Sequence, residues 1–323
     1  MAFTLTQYKN SAENAIDQMV VDQFRRSNWL LDRMPFDDGA HPFGQSGWVY
    51  QYDRLTTEPT AAVRAVNAEY SAQQAVTTAQ TVELKIFGGS FEMDRTQIGT
   101  ARYGDRIAFQ LEQKIKATRA YFNDLFINGD TGTSALEFDG LDTALTNGTT
   151  DVTATSAAND LSTSSTMDSN YKAFLDEFYD WLATLDRMPD ALFMNRTMHS
   201  RMRAIAHRAG YYSQTEDAFG RPVSTFDGIP FIDLGDKPGT SNPVVPITAD
   251  SSGLDTTNIY AAAFGLDAVH GISPSTQSAF LQTYLPNLDL PGAVKTGEVE
   301  MVAAIAVKHQ KAAGVFRGIG VNP

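Results

Sequence analysis

Apolar side chains recur at every third or fourth position between residues 11 and 26, at Ala15, Ile16, Met19, Val20 and Phe24, which predicts an amphipathic helix. The stretch MPFDDGAHPFGQSG then carries two prolines and three glycines, so residues 1–45 read as an extended arm with one helix. From Trp48 the period changes to two: Trp48, Tyr50 and Tyr52 point one way, Val49, Gln51 and Asp53 the other. A second alternating run sets Val82, Leu84 and Ile86 against Glu83 and Lys85. The Ala/Thr/Gln-rich stretch between the two runs has no core signal, so residues 46–90 are expected to form a long hairpin with a polar tip. Gly88-Gly89 in FGGSF is expected to turn the chain back.

The strongest helical pattern follows. Ile107, Leu111, Ile115, Phe122 and Leu125 share one face from about residue 101 to 127, with Glu112 and Lys116 paired on another. Asn128-Gly129 is expected to close this helix through a left-handed backbone. Residues 143–170 are dominated by Ser and Thr and read as a loop or boundary. Beyond them NYKAFLDEFYDWLATL places Tyr171, Phe174, Phe178, Leu182 and Leu185 on one helical face. DALFMN is a short buried strand, and RTMHSRMRAIAHRAG a second amphipathic helix through Met198, Met202 and Ile205. GRPVSTFDGIPFIDLGDKPG, NIYAAAFG and AVHGIS are strand-like, and the tail VKTGEVEMVAAIAVKHQKAAGVFRGI has two β-rich runs that should close a sheet. The order is that of an α+β protein.

Composition narrows the functional classes. Hydrophobic residues make up 42% and charged residues 20% of the 323 positions, a globular balance. With 25 Lys+Arg against 38 Asp+Glu, the net charge of −13 has the wrong sign for gripping phosphate backbones. The absence of cysteine excludes disulfides, thiolate nucleophiles and Cys-ligated zinc. The first residues lack a signal-peptide pattern, and the longest apolar run, Met301 to Val307, is far short of a membrane span, so a soluble protein made in the cytoplasm is expected, with no membrane partner.

Candidate chemistry is sparse. Asp130-Thr131-Gly132-Thr133-Ser134 matches the string that carries the catalytic aspartate of pepsin-like proteases. Such a site needs two carboxylates sharing a proton on strand-braced loops, whereas this copy is single and follows Asn-Gly at a helix end, so it reads as a turn. Asp176, Glu177 and Asp180 read as a solvated helix face. Arg196, Arg201, Arg203 and Arg208, with His199 and His207, form the one basic helix and read as a solvated face or inter-subunit salt bridges. His41, His270 and His309 stand alone, without zinc-ligand spacing. No catalytic, cofactor-binding or metal residue is assigned, and the chain is not expected to be an enzyme.

An isolated two-stranded ribbon is at best marginal in water, so the arm and hairpin are expected to reach onto neighbouring subunits. The candidate inter-subunit contacts are Trp48, Tyr50, Tyr52, Arg54, Val82, Leu84 and Ile86. In this order of parts the chain resembles the major capsid protein of tailed bacteriophages, the Hong Kong 97-type capsid fold shared with encapsulin shells. The matching parts are an N-terminal arm (1–45), an extended β-hairpin loop (46–90), and a peripheral domain (91–142) whose long spine helix ends YFNDLFINGD, with FDGL at 138–141. FGRPV followed by GIPFIDLGD resembles the strand pair of the axial domain (mainly 143–285), and residues 286–323 resemble the return into the peripheral domain.

The resemblance implies a structural subunit forming hexamers and pentamers of an icosahedral head, enclosing double-stranded DNA without binding it specifically. It would be located in the virion and assembled in the host cytoplasm. A scaffolding protein, a portal and an optional decoration protein are the implied partners. Some members begin with a cleaved scaffolding extension; the arm here starts almost at Met1, which points to a separate scaffold or to a chain already lacking that segment. Some members also join a loop lysine to a neighbour's asparagine, but between Gly47 and Ala79 this chain has Arg54 and Arg64 and no lysine, so noncovalent contacts are expected. The alternative is an encapsulin-type compartment around a cargo enzyme, and after it a hydrolase.

Overall fold

The structure, a computed structural model, describes residues 29–42, 48–96, 106–155, 159–210, 214–216, 222–274 and 281–321. The arm helix expected at residues 11–26 lies outside them. A short helix, α1 (Trp29–Arg33), precedes strands β1 (Phe36–Pro42), β2 (Trp48–Thr57), β3 (Val76–Glu83) and β4 (Lys85–Asp94). Helices α2 (Arg106–Asn128) and α3 (Leu141–Leu145) follow, then β5 (Asp151–Thr153), α4 (Ser164–Ala183), β6 (Ala191–Phe193) and α5 (Arg196–Ala209). The remaining strands are β7 (Gln214–Glu216), β8 (Pro222–Phe226), β9 (Ile229–Ile232), β10 (Ile247–Ala249), β11 (Asp255–Ala262), β12 (Val269–Pro274), β13 (Leu281–Tyr284) and β14 (Val294–Val307). After a single 3-10 turn the last strand is β15 (Ala313–Gly320). The α+β class holds.

In the first sheet β14 carries β12 and β13, β12 carries β1, β1 carries β2 and β2 carries β3, while β4 also pairs with β14. Because β3 runs into β4 through Leu84 alone, these pairings form a closed circuit. The second sheet has the order β5-β15-β11-β6-β9-β8-β7, with β10 on β11. Its central strands separate two cores by the period-two rule: Phe193, Tyr260 and Ala262 pack toward α2, while Leu192, Ile259 and Ala261 pack toward the layer containing Phe174, Phe178, Trp181, Met198 and Met202.

Four local expectations change. Gly88-Gly89 does not turn the chain; it lies within β4, opposite Glu300 and Val299 of β14. A Cβ on Gly88 would sit 1.9 Å from the Val299 carbonyl oxygen, so glycine is required by close backbone approach. Gly129 follows α2 as expected, yet for the same reason and not through a left-handed backbone, since a Cβ there would lie 2.2 Å from the Phe138 carbonyl oxygen. The Ser/Thr-rich stretch holds the start of α4, where Thr163 and Thr166 form a reciprocal capping box, so two of its threonines serve as caps. Finally, the tail is divided: β14 joins the first sheet, but β15 lies inside the second, between β5 and β11, while β12 and β13 belong to the first sheet. The 3-10 turn at Gln310–Ala312 carries the chain across, so the boundary expected at residue 285 does not follow the sheets.

Candidate assembly interface

The β2–β3 ribbon pairs from Val49↔Glu83 to Thr57↔Val76. Every residue from 55 to 79 is exposed. Val63 and Val66 are 99% and 89% exposed, nearly free of cover from the described residues. The bonds that shape the tip are local and polar. Thr56 and Thr78 share a 2.8 Å hydroxyl contact across the ribbon, and Thr60 donates its N–H and Oγ1 to Gln73 Oε1 at 2.7 and 2.6 Å. Arg64 donates to the Ala68 carbonyl at 3.2 Å and lies over the Tyr70 ring.

The root is built differently. Beyond Ala303, where its pairing with β4 ends, β14 loses that neighbour because the β3–β4 strand peels away to pair with β2. Side chains of β2 take over the carbonyls at the end of β14. Tyr52 Oη donates to the Val307 carbonyl at 3.2 Å, and Arg54 donates Nη2 to the same oxygen at 2.6 Å and Nε to the Lys308 carbonyl at 3.1 Å. A cavity of about 540 Å³ fills the fork, lined by Tyr52, Arg54, Val82, Lys85, Phe138 and Ile305 among others.

Deeper in the root, Tyr50 Oη donates to Asp37 Oδ2 at 2.8 Å, and its ring stands edge-on to His270 at 5.8 Å, with the Lys308 ammonium 5.2 Å from its centroid. Burial raises the Tyr50 phenol above its usual range, and Asp37 adds to the shift. Burial also raises Tyr52, against the lowering effect of Arg54. His270 is fully buried and neither ring nitrogen makes a well-formed hydrogen bond, the Ala268 backbone being too poorly placed for one. Burial and the nearby Lys308 charge push its pKa down to about 4, outweighing Asp37, the Ala268 backbone and Asp267.

The expected contact residues therefore divide. Tyr50 and Leu84 are buried in the first core and cannot be offered to a neighbour. Trp48, Tyr52 and Val82 are partly buried against that core, and Arg54 is tied to β14. Ile86 is 67% exposed, because the alternation slips by one residue where the strand changes partner: Leu84 points in, Ile86 out and Phe87 in. Asp37, His270 and Lys308 join the root without having been assigned to it. A histidine in the otherwise uncharged AVHGIS run was the available signal.

Asp130-Thr131-Gly132 is a turn. Asp130 accepts from Gly132 N–H at 2.8 Å and Thr133 Oγ1 at 2.6 Å, and the Thr133 hydroxyl foremost, with Gly132 N–H, holds the carboxyl below its usual pKa. On the acidic helix face Glu177 accepts from Thr155 and Asn159, pinning the preceding segment. On the basic helix Arg208 pairs with Asp168, and Arg201 donates to the Ser162 carbonyl at 3.0 Å. Among the described residues no cluster of His, Asp and Glu is placed to hold a metal ion, and no helix is long and apolar enough to cross a membrane.

The SU10 major capsid protein family matches residues 6–320 of the chain. No curated protein sequence matches it. Among solved structures, the SrpI encapsulin in its holo complex from Synechococcus elongatus PCC 7942 is similar over 100% of this chain and 98% of its own, at 13% identity and a TM-score of 0.65. The capsid of Myoviridae phage XM1 aligns over 94% of this chain and 96% of its own, at 14% identity and a TM-score of 0.57. Gordonia phage Cozz gives 94% and 90%, with 15% identity and a TM-score of 0.54. Identities this low speak for the fold, which is the Hong Kong 97-type capsid fold. With the family matched over nearly its whole length, the chain belongs to the SU10 major capsid proteins.

Proposed function

We propose that this chain is the subunit of an icosahedral phage head, forming hexamers and pentamers around double-stranded DNA, and that its β2–β3 hairpin clamps one subunit onto the next. The observation that carries the reading is the ribbon itself: residues 55–79 are all exposed, with no cover from the described residues. A ribbon of this kind is marginal alone, and seating one valine or tyrosine of the tip on a neighbour is worth about 1.5–3 kcal/mol, repeated over every copy of a shell. Arm, scaffolding protein, portal and an optional decoration protein complete the assembly. The net charge of −13 suits a container wall that repels packaged DNA and does not bind it specifically.

The test replaces residues 56–75 by a short Gly-rich turn. The variant should stay soluble and melt cooperatively, yet give no closed shells in negative-stain microscopy under conditions where the parent does. Normal particles from the variant would refute the clamp; failure to fold would place those residues in the core. A second reading, an encapsulin-type compartment, is favoured by the higher TM-score of the SrpI encapsulin, 0.65 against 0.57 for phage XM1. Particle content decides between them: nuclease-protected double-stranded DNA supports a phage head, and a co-purifying cargo protein the compartment.

A further inference from the structure

Strands β13, β14 and β4 lie side by side, and their register sorts the side chains onto two faces. One face is buried: Phe87, Phe91, Met93, Val299 and Met301 point inward, and Phe87 stacks on Phe122 of α2. The opposite face is open. There Ile86 is 67%, Tyr284 48% and Val294 47% exposed, around a centre of carboxylates. The charged side chains of this face are Glu92, Asp94, Glu298 and Glu300, whereas the two lysines of these strands, Lys85 and Lys295, fall on the other. Asp94 is satisfied locally by the Thr96 N–H and Oγ1 at 2.8 and 2.7 Å, beside Arg95. Glu92, Glu298 and Glu300 make no hydrogen bond or ion pair among the described residues.

Glu298 and Glu300 stand two positions apart on β14, about 7 Å, and Glu92, opposite Thr296, lies diagonal to Glu298. Like charges at this spacing repel, and a cation between them relieves the repulsion. A place for one is shaped. Gly88 stands opposite Glu300, and its missing side chain leaves a hollow of about 270 Å³ lined by Ile86, Ser90, Glu298 and Glu300 among others. Small-molecule sites take roughly 300–1,000 Å³, so this hollow suits a single long side chain. A second copy is a poor match. Each copy carries −13, the exposed stretch 55–79 holds Glu58 and Glu69 against Arg64, and α5, the one basic helix, already engages Arg208 with Asp168 and Arg201 with the Ser162 carbonyl. Identical acidic copies cannot neutralise one another, so the opposite charge comes from outside. We propose that the open face of β13, β14 and β4 docks a separate protein through a basic segment, with one arginine or lysine seated over Gly88 between Glu298 and Glu300. Ile86 and Tyr284 supply the apolar contact beside it, the mixture of aromatic, aliphatic and paired charge that protein interfaces favour. The inference is independent of the hairpin clamp and of what the shell encloses.

The probe is a fluorescent hexa-arginine peptide, titrated against the full-length subunit at about 0.15 M salt and read by anisotropy. Glu298→Gln with Glu300→Gln should weaken its binding at least about tenfold. Ser90→Leu fills the hollow without changing the charge and should weaken it at least about threefold. Asp176→Asn with Asp180→Asn removes the same charge from the face of α4 and should change it less than about twofold. The Glu298/Glu300 variant should melt no lower than the parent, since these carboxylates hold no bond of the described chain. In a chain with no cysteine, Thr296→Cys marks the same face and should react with N-ethylmaleimide at equal rates in subunits and closed particles. Equal weakening by the two charge-removing variants, or undiminished binding by Ser90→Leu, would reduce the contact to general attraction by the net charge. Displacement of the peptide by calcium at fixed ionic strength would make the face a metal site, and protection of Thr296→Cys in particles would show that a second copy covers it. Each of these results would overturn the proposal.

Discussion

His270 should make the subunit sensitive to mild acid. Its ring is fully buried, with neither nitrogen in a well-formed hydrogen bond, and its pKa is lowered from 6.5 to about 4 in the fold. Above pH 6.5 the imidazole is neutral in both states and contributes no pH dependence. As pH falls from 6.5 toward 4 the unfolded chain binds the proton first, so stability is lost across that window. At about 1.4 kcal/mol per pH unit the full loss is about 3 kcal/mol, and about 2.5 kcal/mol of it is reached by pH 4.5. The charges facing the ring are Asp37 on β1, Lys308 after β14 and Asp267 before β12, and their effects are contained in that value. His270→Phe removes the titration, and His270→Met serves if the larger ring overpacks. Urea unfolding of the unassembled subunit at pH 7.5 and 4.5 is the assay, since carboxylate titration is common to parent and variant and cancels in the difference. The parent should lose about 2.5 kcal/mol more than the variant. Equal losses, within about 0.5 kcal/mol, would refute the reasoning, because protonation would then carry no penalty in the fold.

Gly88→Ala should cost at least about 3 kcal/mol in a thermal or urea melt, because its Cβ would lie 1.9 Å from the backbone oxygen of Val299 and force β4 off β14. Gly89→Ala should stay within about 1 kcal/mol, since its Cβ meets only the movable end of Lys114 at 3.1 Å. Boiled particles should run as a 35.3 kDa monomer on a denaturing gel, since the hairpin tip has no lysine to act as a cross-linking amine; a multimer ladder would contradict this.

Elements with a local period were legible. The hairpin, α2, α4 and α5 each announce themselves within a few turns or strand repeats, and Met198, Met202 and Ile205 fall inward as their spacing requires. The root of the hairpin was not legible, because its bonds join residues far apart in the chain: Tyr52 and Val307 are 255 positions apart. Tyrosines at alternate positions look the same in sequence whether they face a neighbour or their own core. Only the course of β14 shows that Tyr50 meets Asp37 and His270. Gly88 and Gly129 were read as turn residues because glycine is permissive in φ, whereas both stand where two backbones leave no space for a Cβ.

The ribbon is two objects joined at Arg54. Up to that residue β2 is held by more than its ladder to β3: Tyr50 is anchored to Asp37, and Tyr52 and Arg54 hold the carbonyls at the end of β14. Hydrogen bonds from a charged donor contribute about 1.5–3 kcal/mol each, so the Arg54 pair does the work of the strand that β14 lacks there. The next residue, Leu55, is already 54% exposed, and every residue is exposed from there until Gln80. The free length therefore begins one residue beyond the last anchor, and the lever pivots at Arg54 and not where the strands begin. Strain on the tip reaches the subunit through the last carbonyl of β14, that of Val307, and the Lys308 carbonyl just after it; β14 also carries β4, β12 and β13. A tip seated on a neighbour thus pulls on the central strand of its own sheet, while its removal breaks no bond of the root.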